Sequence, residues 1–291
     1  MKWMHRFLLH NDEIRDAKDL FLSPGQVGLL NGWGVFSTLS VCEGVLFAFE
    51  RHWLRMQHDA GRMRVPFPAD GGWLEERLYR LVEANRASNA TLRVAVIRNR
   101  GGMWQGPAAT REFDVVAFTA DSNPWGSGVK LDLIANGRHA ASEFAGTKYL
   151  SWAENLTRYE RAHEQGFDEV VLLNERGEVC ECTSASIFAA KGGRVWTPPL
   201  ASGCLPGVTR ALLLEIPVPG VRVIEKTLFP RDLEAADEVF ITSTTRQLLP
   251  VLSVTGLIIK QAATARNQLQ QAFSTYIQEY VSVRRRPVAV V

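Results

Sequence analysis

The chain has 291 residues, of which 46% are hydrophobic and 22% are charged, and its formal net charge is +2. This size and composition predict an ordinary soluble globular protein with one large or two medium domains. The near balance of charge gives no reason to expect nucleic acid or a membrane as a partner, and no apolar run reaches the roughly 18 residues that a spanning helix needs. The four cysteines are few and irregularly spaced, so we expect reduced thiols in a cytoplasmic protein and no metal site.

A segment rich in Ser, Gly, Pro, Asn and Asp, residues 119–128, predicts a linker. It would divide a smaller N-terminal domain, residues 1–118, from a larger C-terminal domain, residues 129–291. In the N-terminal part the apolar periodicity predicts, in chain order, strands 35–40 and 45–49, helices 50–63 and 73–87, and strands 92–97 and 113–118.

The C-terminal part begins with a predicted strand, 129–135, and a helix, 149–165, that Gly166 would close. The later patterns predict strands 169–173, 178–182, 186–190 and 194–197, a helix after Leu205-Pro-Gly207, strands 221–224 and 238–242, and a last helix from about 262 to 281. Runs of strands without regular βαβ alternation predict an α+β fold.

Lysine is scarce, with seven lysines against 26 arginines, and Lys148 stands apart from the others. The other lysines lie among polar or turn residues or at strand ends, whereas Lys148 lies between a short turn and the predicted start of an apolar helix. Desolvation there would lower its pKa and favour the neutral, nucleophilic amine. The alternative is a lysine that extends to water from a helix start.

Glu181, flanked by Cys180 and Cys182, is a carboxylate in apolar surroundings. Such a group needs a partner because an unpaired buried charge is costly. A protonated pyridine nitrogen would serve, and so would an arginine across the hairpin.

Two turns could hold an anion. In Leu205-Pro-Gly-Val-Thr-Arg210, Gly207 permits close backbone approach and the N–H groups of Val208 and Thr209 lie free at a helix start. Thr242-Ser-Thr-Thr-Arg246 is a second, hydroxyl-rich turn. An ordinary Pro-Gly turn and a simple helix cap are the alternatives.

The order of these motifs, followed by Asp237-Glu-Val-Phe-Ile-Thr242, resembles the class IV aminotransferases, which include branched-chain and D-amino-acid aminotransferases and aminodeoxychorismate lyase. The resemblance extends from about Ser23 to Gly256. It also includes Gly32-Trp-Gly-Val-Phe-Ser-Thr38, His52-Trp-Leu-Arg55, Gly166-Phe-Asp-Glu-Val-Val-Leu-Leu173, Thr197-Pro-Pro-Leu200 and Pro250-Val251. It implies a two-domain α+β protein of fold type IV, with pyridoxal 5'-phosphate (PLP) between the domains, and a homodimer or higher homo-oligomer.

The resemblance also implies roles for individual residues. Lys148 would hold the cofactor and then move the Cα proton, and Glu181 would pair with the pyridinium. The phosphate would be bound by Arg55, Gly207, Val208, Thr209 and Thr244. For Arg55 the alternative is an outward position paired with Asp59 at the (i, i+4) spacing.

Several positions depart from the usual pattern of the family: Asn31, Ser37, Ser151, Trp152 and Ser186. The segment 98–105 lacks the Arg-x-His pair with which D-amino-acid aminotransferases hold the substrate carboxylate, although Arg98 or Arg100 could still do so. A solvated strand end is the alternative for both.

Transamination between an amino acid and a 2-oxo acid is the leading functional hypothesis. Trp33, Phe36 and Trp152 favour a branched-chain or other apolar donor. A lyase that releases pyruvate from aminodeoxychorismate with the same lysine and cofactor is the second hypothesis, favoured by the hydroxyls of residues 37–38. A catalytically idle PLP-binding module is the third.

Overall fold

The computed structural model describes residues 3–20, 22–23, 25–102, 110–122 and 124–285. The chain forms two compact units. The first comprises Met1–Asn123, Thr147–Trp152 and Ile277–Val291, and the second comprises Pro124–Gly146 and Ala153–Tyr276. None of the helices in the described ranges is both long and apolar enough to cross a membrane.

The first unit is built on a six-stranded antiparallel sheet of order β2-β1-β6-β5-β3-β4. Its strands are β1 (Met4–His10), β2 (Glu13–Asp16), β3 (Gly34–Cys42), β4 (Val45–Leu46), β5 (Ala90–Arg98) and β6 (Phe113–Asp121), and its helices are α1 (Val27–Asn31), α2 (Phe49–Arg62) and α3 (Gly71–Ala84).

The two faces of this sheet differ. On β5, Leu92, Val94 and Val96 are buried in the core with apolar residues of α2 and α3, whereas Arg93 on the other face is only partly buried. Successive side chains of a strand point to opposite faces of the sheet, so the second face of β3 and β5 carries polar and aromatic residues.

The second unit contains an eight-stranded mixed sheet of order β12-β11-β10-β13-β14-β7-β8-β9. Its strands are β7 (Val129–Ile134), β8 (Glu169–Leu173), β9 (Val179–Cys182), β10 (Ser186–Lys191), β11 (Arg194–Thr197), β12 (Arg222–Glu225), β13 (Glu238–Ser243) and β14 (Gln247–Val254). The helices are α4 (Ala153–Glu164), α5 (Val208–Glu215), α6 (Pro230–Ala235) and α7 (Thr264–Arg284), the last of which ends in residues of the first unit. Strands β8 and β10 are buried almost throughout, which explains why their sequences are apolar without alternation.

The predicted α+β class is confirmed, and most predicted elements lie within a few residues of the observed ones. Strands β1, β2 and β14 and the short helices α1 and α6 were not predicted. Residues 119–121 of the predicted linker belong to β6. The predicted helix 149–165 begins only at Ala153, so Lys148 does not lie at a helix start.

The reason is that Thr147–Trp152 runs in extended form beside β3. Tyr149 forms a bridge with Val35, and the Leu150 N–H donates to the Gly34 carbonyl at 2.9 Å. These contacts place the lysine segment in the first unit, although it falls within the range 129–291 assigned to the second domain by sequence. A Cβ on Gly34 would lie 2.5 Å from the Val96 carbonyl and from Leu150 Cδ1, so this approach requires glycine.

Candidate active site

Lys148 differs from the other lysines in its surroundings. It is half-buried, whereas the remaining lysines in the described part of the chain are exposed: Lys18, Lys130, Lys191, Lys226 and Lys260. Its Nζ lies 4.5 Å from the ring centre of Phe36 and 5.5 Å from that of Trp152. The amine therefore lies against aromatic surface on the partly open face of β3, at the end of a side chain whose backbone is fixed to that strand.

Arg93 lies on the same face and was not singled out from the sequence. Its guanidinium stacks 4.0 Å from the centre of the Phe36 ring and 5.9 Å from that of Trp152. Burial lowers the pKa of Arg93. Among the described residues no carboxylate pairs with it. Since a partly desolvated cation without an anionic partner is unfavourable, this guanidinium is suited to an anionic ligand.

Arg55 projects from α2 toward the core face of β3. Its Nη2 donates to Ser37 Oγ at 2.7 Å, and Ser37 Oγ lies 2.8 Å from His52 Nδ1. Burial lowers the pKa of Arg55 to about 10, and Arg55 Nε has no hydrogen-bond partner. Burial, together with the nearby charges of Arg55 and Lys148, holds the pKa of His52 well below its ordinary value. The imidazole is therefore neutral, and Arg55 points inward with an unused donor.

Asp59 follows one helical turn after Arg55 and is fully buried. Its Oδ2 accepts the main-chain N–H of Lys148 at 3.2 Å, and its Oδ1 has no hydrogen-bond partner. The alternative of an exposed Arg55–Asp59 pair is therefore not what the structure contains, although the two charges do influence each other. Asp59 instead joins α2 to the lysine segment.

Glu181 is buried on β9 and accepts two hydrogen bonds. Its Oε1 accepts from Arg138 Nε at 2.9 Å, and its Oε2 accepts from the Leu205 N–H at 3.0 Å. Burial alone would lower the pKa of Arg138, but the Glu181 carboxylate raises it above the ordinary value. The sequence allowed for an arginine partner across the hairpin. The arginine that binds Glu181 is Arg138, which instead follows β7. Each carboxylate oxygen keeps a second lone pair for another donor.

The Leu205–Thr209 turn leads into α5 as the sequence suggested. Gly207 is the N-cap residue and makes no side-chain cap, while Val208 and Thr209 are buried in the first turn. A Cβ at position 207 would lie 3.0 Å from Ser186 Oγ, so the glycine keeps the backbone close to β10. Thr242 Oγ1, near the end of β13, is buried without a partner.

Thr244 lies in the turn between β13 and β14, so the helix cap considered for this segment is wrong. The turn is held by Arg246, which pairs with the fully buried Glu169 at 3.2 Å and donates to Ser184 Oγ at 2.8 Å. Because Glu169 also accepts the Thr183 hydroxyl, this buried pair is well satisfied and fixes the turn that carries Thr244.

The two arginines first considered for the carboxylate are already engaged. Arg98 donates to the carbonyls of Arg64 and Arg100 and stacks on Trp33 at 4.1 Å. Arg100 donates to the Thr110 carbonyl at 3.2 Å. Residues 103–105 of that segment lie outside the described residues. Cys42, Cys180, Cys182 and Cys204 are all unpaired, as expected, and burial raises the pKa of each thiol.

Comparison with known proteins identifies the family of the chain. The profile of the family described as amino-transferase class IV matches residues 34–254. The chain belongs to this family. It is 26% identical over 275 residues to a D-alanine aminotransferase of Bacillus licheniformis, with 88% of this chain and 91% of the relative covered. It is 27% identical over 246 residues to the branched-chain-amino-acid aminotransferase of Escherichia coli K12, with 79% and 78% covered.

The solved structures agree in fold. A crystal structure of the Escherichia coli branched-chain amino acid aminotransferase superposes with a TM-score of 0.83 at 24% identity and covers 94% of this chain and 95% of its own. At this identity the likeness establishes the type IV aminotransferase fold and not the substrate.

The family depends on PLP, and the residues present fit that group. Arg55 Nε is a buried donor without a partner, as a phosphate-binding arginine requires. In the second unit, the uncapped start of α5 and the buried Thr242 hydroxyl are further groups that an anion could satisfy. The free lone pairs of Glu181 suit a protonated ring nitrogen.

Proposed function

We propose that this protein is a PLP-dependent aminotransferase that exchanges an amino group between an amino acid and a 2-oxo acid. The observation that carries the proposal is the environment of Lys148, a half-buried lysine against Phe36 and Trp152 in a chain whose other described lysines are exposed. Membership of the class IV family supports the reaction class.

Each predicted residue has a task that its surroundings allow. Lys148 would bind the cofactor covalently and then carry the proton to and from the substrate Cα. Glu181, held by Arg138, would accept a hydrogen bond from the protonated ring nitrogen. Arg55, Gly207, Val208, Thr209 and Thr244 would bind the phosphate. When bound, PLP supplies the electron sink that stabilises negative charge at Cα.

Arg93 is the residue that we assign to the substrate carboxylate, in place of Arg98 or Arg100. It has the unpaired guanidinium on the lysine's face of the sheet, whereas Arg98 and Arg100 bind backbone carbonyls. The surrounding Phe36 and Trp152 would contact the substrate side chain, which favours a branched-chain or other apolar donor.

A lyase is the second candidate. Thr38 lies directly opposite Arg93 in the β3–β5 register, so its hydroxyl shares the lysine's face, while Ser37 points to the core. Pyruvate release from aminodeoxychorismate without a 2-oxo acid acceptor would favour the lyase, and conversion of bound PLP to the pyridoxamine form by an amino acid favours the aminotransferase.

The deciding experiment is to load the protein with PLP, reduce it with borohydride and map the labelled peptide. We expect a pyridoxyl group on Lys148, and we expect Lys148→Ala to abolish turnover while still binding PLP without a covalent bond. A label on another lysine would refute the assignment. Labelling of Lys148 without turnover of any amino acid in a substrate panel would favour the idle PLP-binding module.

The same proposal includes a cytoplasmic location and a homodimer or higher homo-oligomer. The four unpaired cysteines support a reducing compartment. Sedimentation of the purified protein measures the oligomeric state.

A further inference from the structure

Asp59 is a buried acid that binds the lysine segment where a neutral side chain would suffice. Accepting the Lys148 N–H needs one oxygen, which asparagine also offers. The second oxygen, Oδ1, is buried without a hydrogen-bond partner, and the side chain has no exposed surface. Burying an ionisable group in this manner is costly, so its charge requires an explanation beyond the single hydrogen bond.

The charged groups that face Asp59 supply that explanation. They are Arg55 and His58 on its own helix, α2, and Lys148 on the extended segment that packs against it. Lys148 Nζ in turn shares the Phe36 and Trp152 rings with the Arg93 guanidinium of β5. Burial raises the pKa of the Asp59 carboxyl, and the Lys148 N–H together with the charges of Arg55, His58 and Lys148 opposes this rise. His52, which also faces Arg55 and Lys148, is held neutral. The Asp59 carboxyl therefore has Arg55 and Lys148 as electrostatic neighbours, in addition to its hydrogen bond to the Lys148 main chain.

We infer that Asp59 is a positioning residue for Lys148: its Oδ2 fixes the main chain at residue 148, and its charge stabilises positive charge on the lysine nitrogen. This inference rests on the proposed role of Lys148 as the cofactor-binding lysine. A neutral acceptor at position 59 would keep the first effect and lose the second. An apolar residue there would lose both.

Three variants separate these effects. Asp59→Asn keeps an oxygen for the Lys148 N–H and removes the charge, Asp59→Ser removes the charge with a side chain one atom shorter, and Asp59→Val removes both the charge and the acceptor. Glu83→Gln, an exposed acid-to-amide change on α3, is the matched control. The readout is the pH midpoint at which the Lys148 nitrogen loses its proton in the PLP-loaded protein, followed by visible absorbance, together with the dissociation constant for PLP.

We expect the midpoint to fall by roughly one unit in Asp59→Asn and Asp59→Ser, a tenfold change, because an opposite charge nearby favours the protonated form. Asp59→Val should show the same shift and also at least about a tenfold weaker binding of PLP, from loss of the bond that orders residue 148. If Asp59→Asn does not fold, the smaller Asp59→Ser provides the test of the charge.

A midpoint in both neutral variants equal to that of wild type and Glu83→Gln would overturn the electrostatic role. Equal PLP affinity in Asp59→Val and Asp59→Asn would overturn the positional role. The outcome is distinguishable from failure of the proposed function, because borohydride labelling of Lys148 in the wild type is established first and does not depend on Asp59.

Discussion

Replacement of Arg55 by alanine separates cofactor binding from chemistry. The side chain is held by Ser37 through Nη2, and its Nε has no partner. If Nε and the guanidinium charge bind the phosphate, Arg55→Ala removes at least one charge-assisted hydrogen bond of about 1.5–3 kcal/mol. The dissociation constant for PLP should then rise roughly tenfold to a hundredfold. The rate of the half-reaction at saturating PLP should change much less, because the phosphate is remote from Cα.

The measurement is a titration of cofactor-free protein with PLP, followed by absorbance, for wild type, Arg55→Ala, Arg55→Lys and the exposed control Arg80→Ala. We expect the dissociation constant of Arg55→Lys to lie between those of wild type and Arg55→Ala, because lysine keeps the positive charge but lacks the paired N–H donors of the guanidinium. Inorganic phosphate should compete with PLP in wild type and less well in Arg55→Ala. Equal dissociation constants for wild type and Arg55→Ala would show that Arg55 serves only to join α2 to β3.

Four further changes test the remaining parts of the structure. Glu181→Gln should retain PLP but slow Cα deprotonation roughly tenfold to a hundredfold in a single-turnover half-reaction, and an unchanged rate would make Glu181 purely structural. Arg93→Met should raise KM for the amino acid about tenfold or more with a smaller effect on kcat, and unchanged KM would remove Arg93 from the substrate site. Gly34→Ala should lower the free energy of unfolding in thermal denaturation, because its Cβ would lie 2.5 Å from the Val96 carbonyl, and an unchanged Tm would contradict this reading. Hydrogen bonds from Arg176, Asn174 and Ser202 lower the pKa of Glu178 to about 2, so Glu178→Gln should destabilise the protein at pH 7. The difference from wild type should shrink as the pH falls from the ordinary value near 4.5 towards 2, and a constant difference would refute it.

The sequence predicted those elements whose signal is local. The fold class and most strands and helices follow from apolar periodicity. The start of α4 was wrong because Tyr149–Trp152 has a helical pattern, but its backbone bonds with Val35 and Gly34 instead. Strand β14 was missed because Pro250, which lacks an N–H, argues against a central strand.

The candidate site shows the same limit. Lys148, Glu181 and the Gly207 turn could be proposed because each stands in a distinctive stretch of sequence. Arg93 could not, although a charged residue within the apolar run 92–97 was a visible signal. Its importance depends on the register that sets it opposite Thr38 and beside Phe36, and register between distant strands cannot be read from one sequence.

The hydrogen-bond and ring partners of Arg55 and Arg93 support the proposal that both arginines bind anions. In the second unit, three buried or half-buried arginines have carboxylate partners, Arg138 with Glu181, Arg210 with Glu225 and Arg246 with Glu169, while the half-buried Arg266 donates to Asn267 Oδ1. In the first unit, Arg55 bonds to a serine and keeps an unused donor, and Arg93 stacks on aromatic rings without a carboxylate among the described residues. Because burying a cation without a hydrogen-bonded carboxylate is costly, we propose that both bind anions, a phosphate at Arg55 and a carboxylate at Arg93.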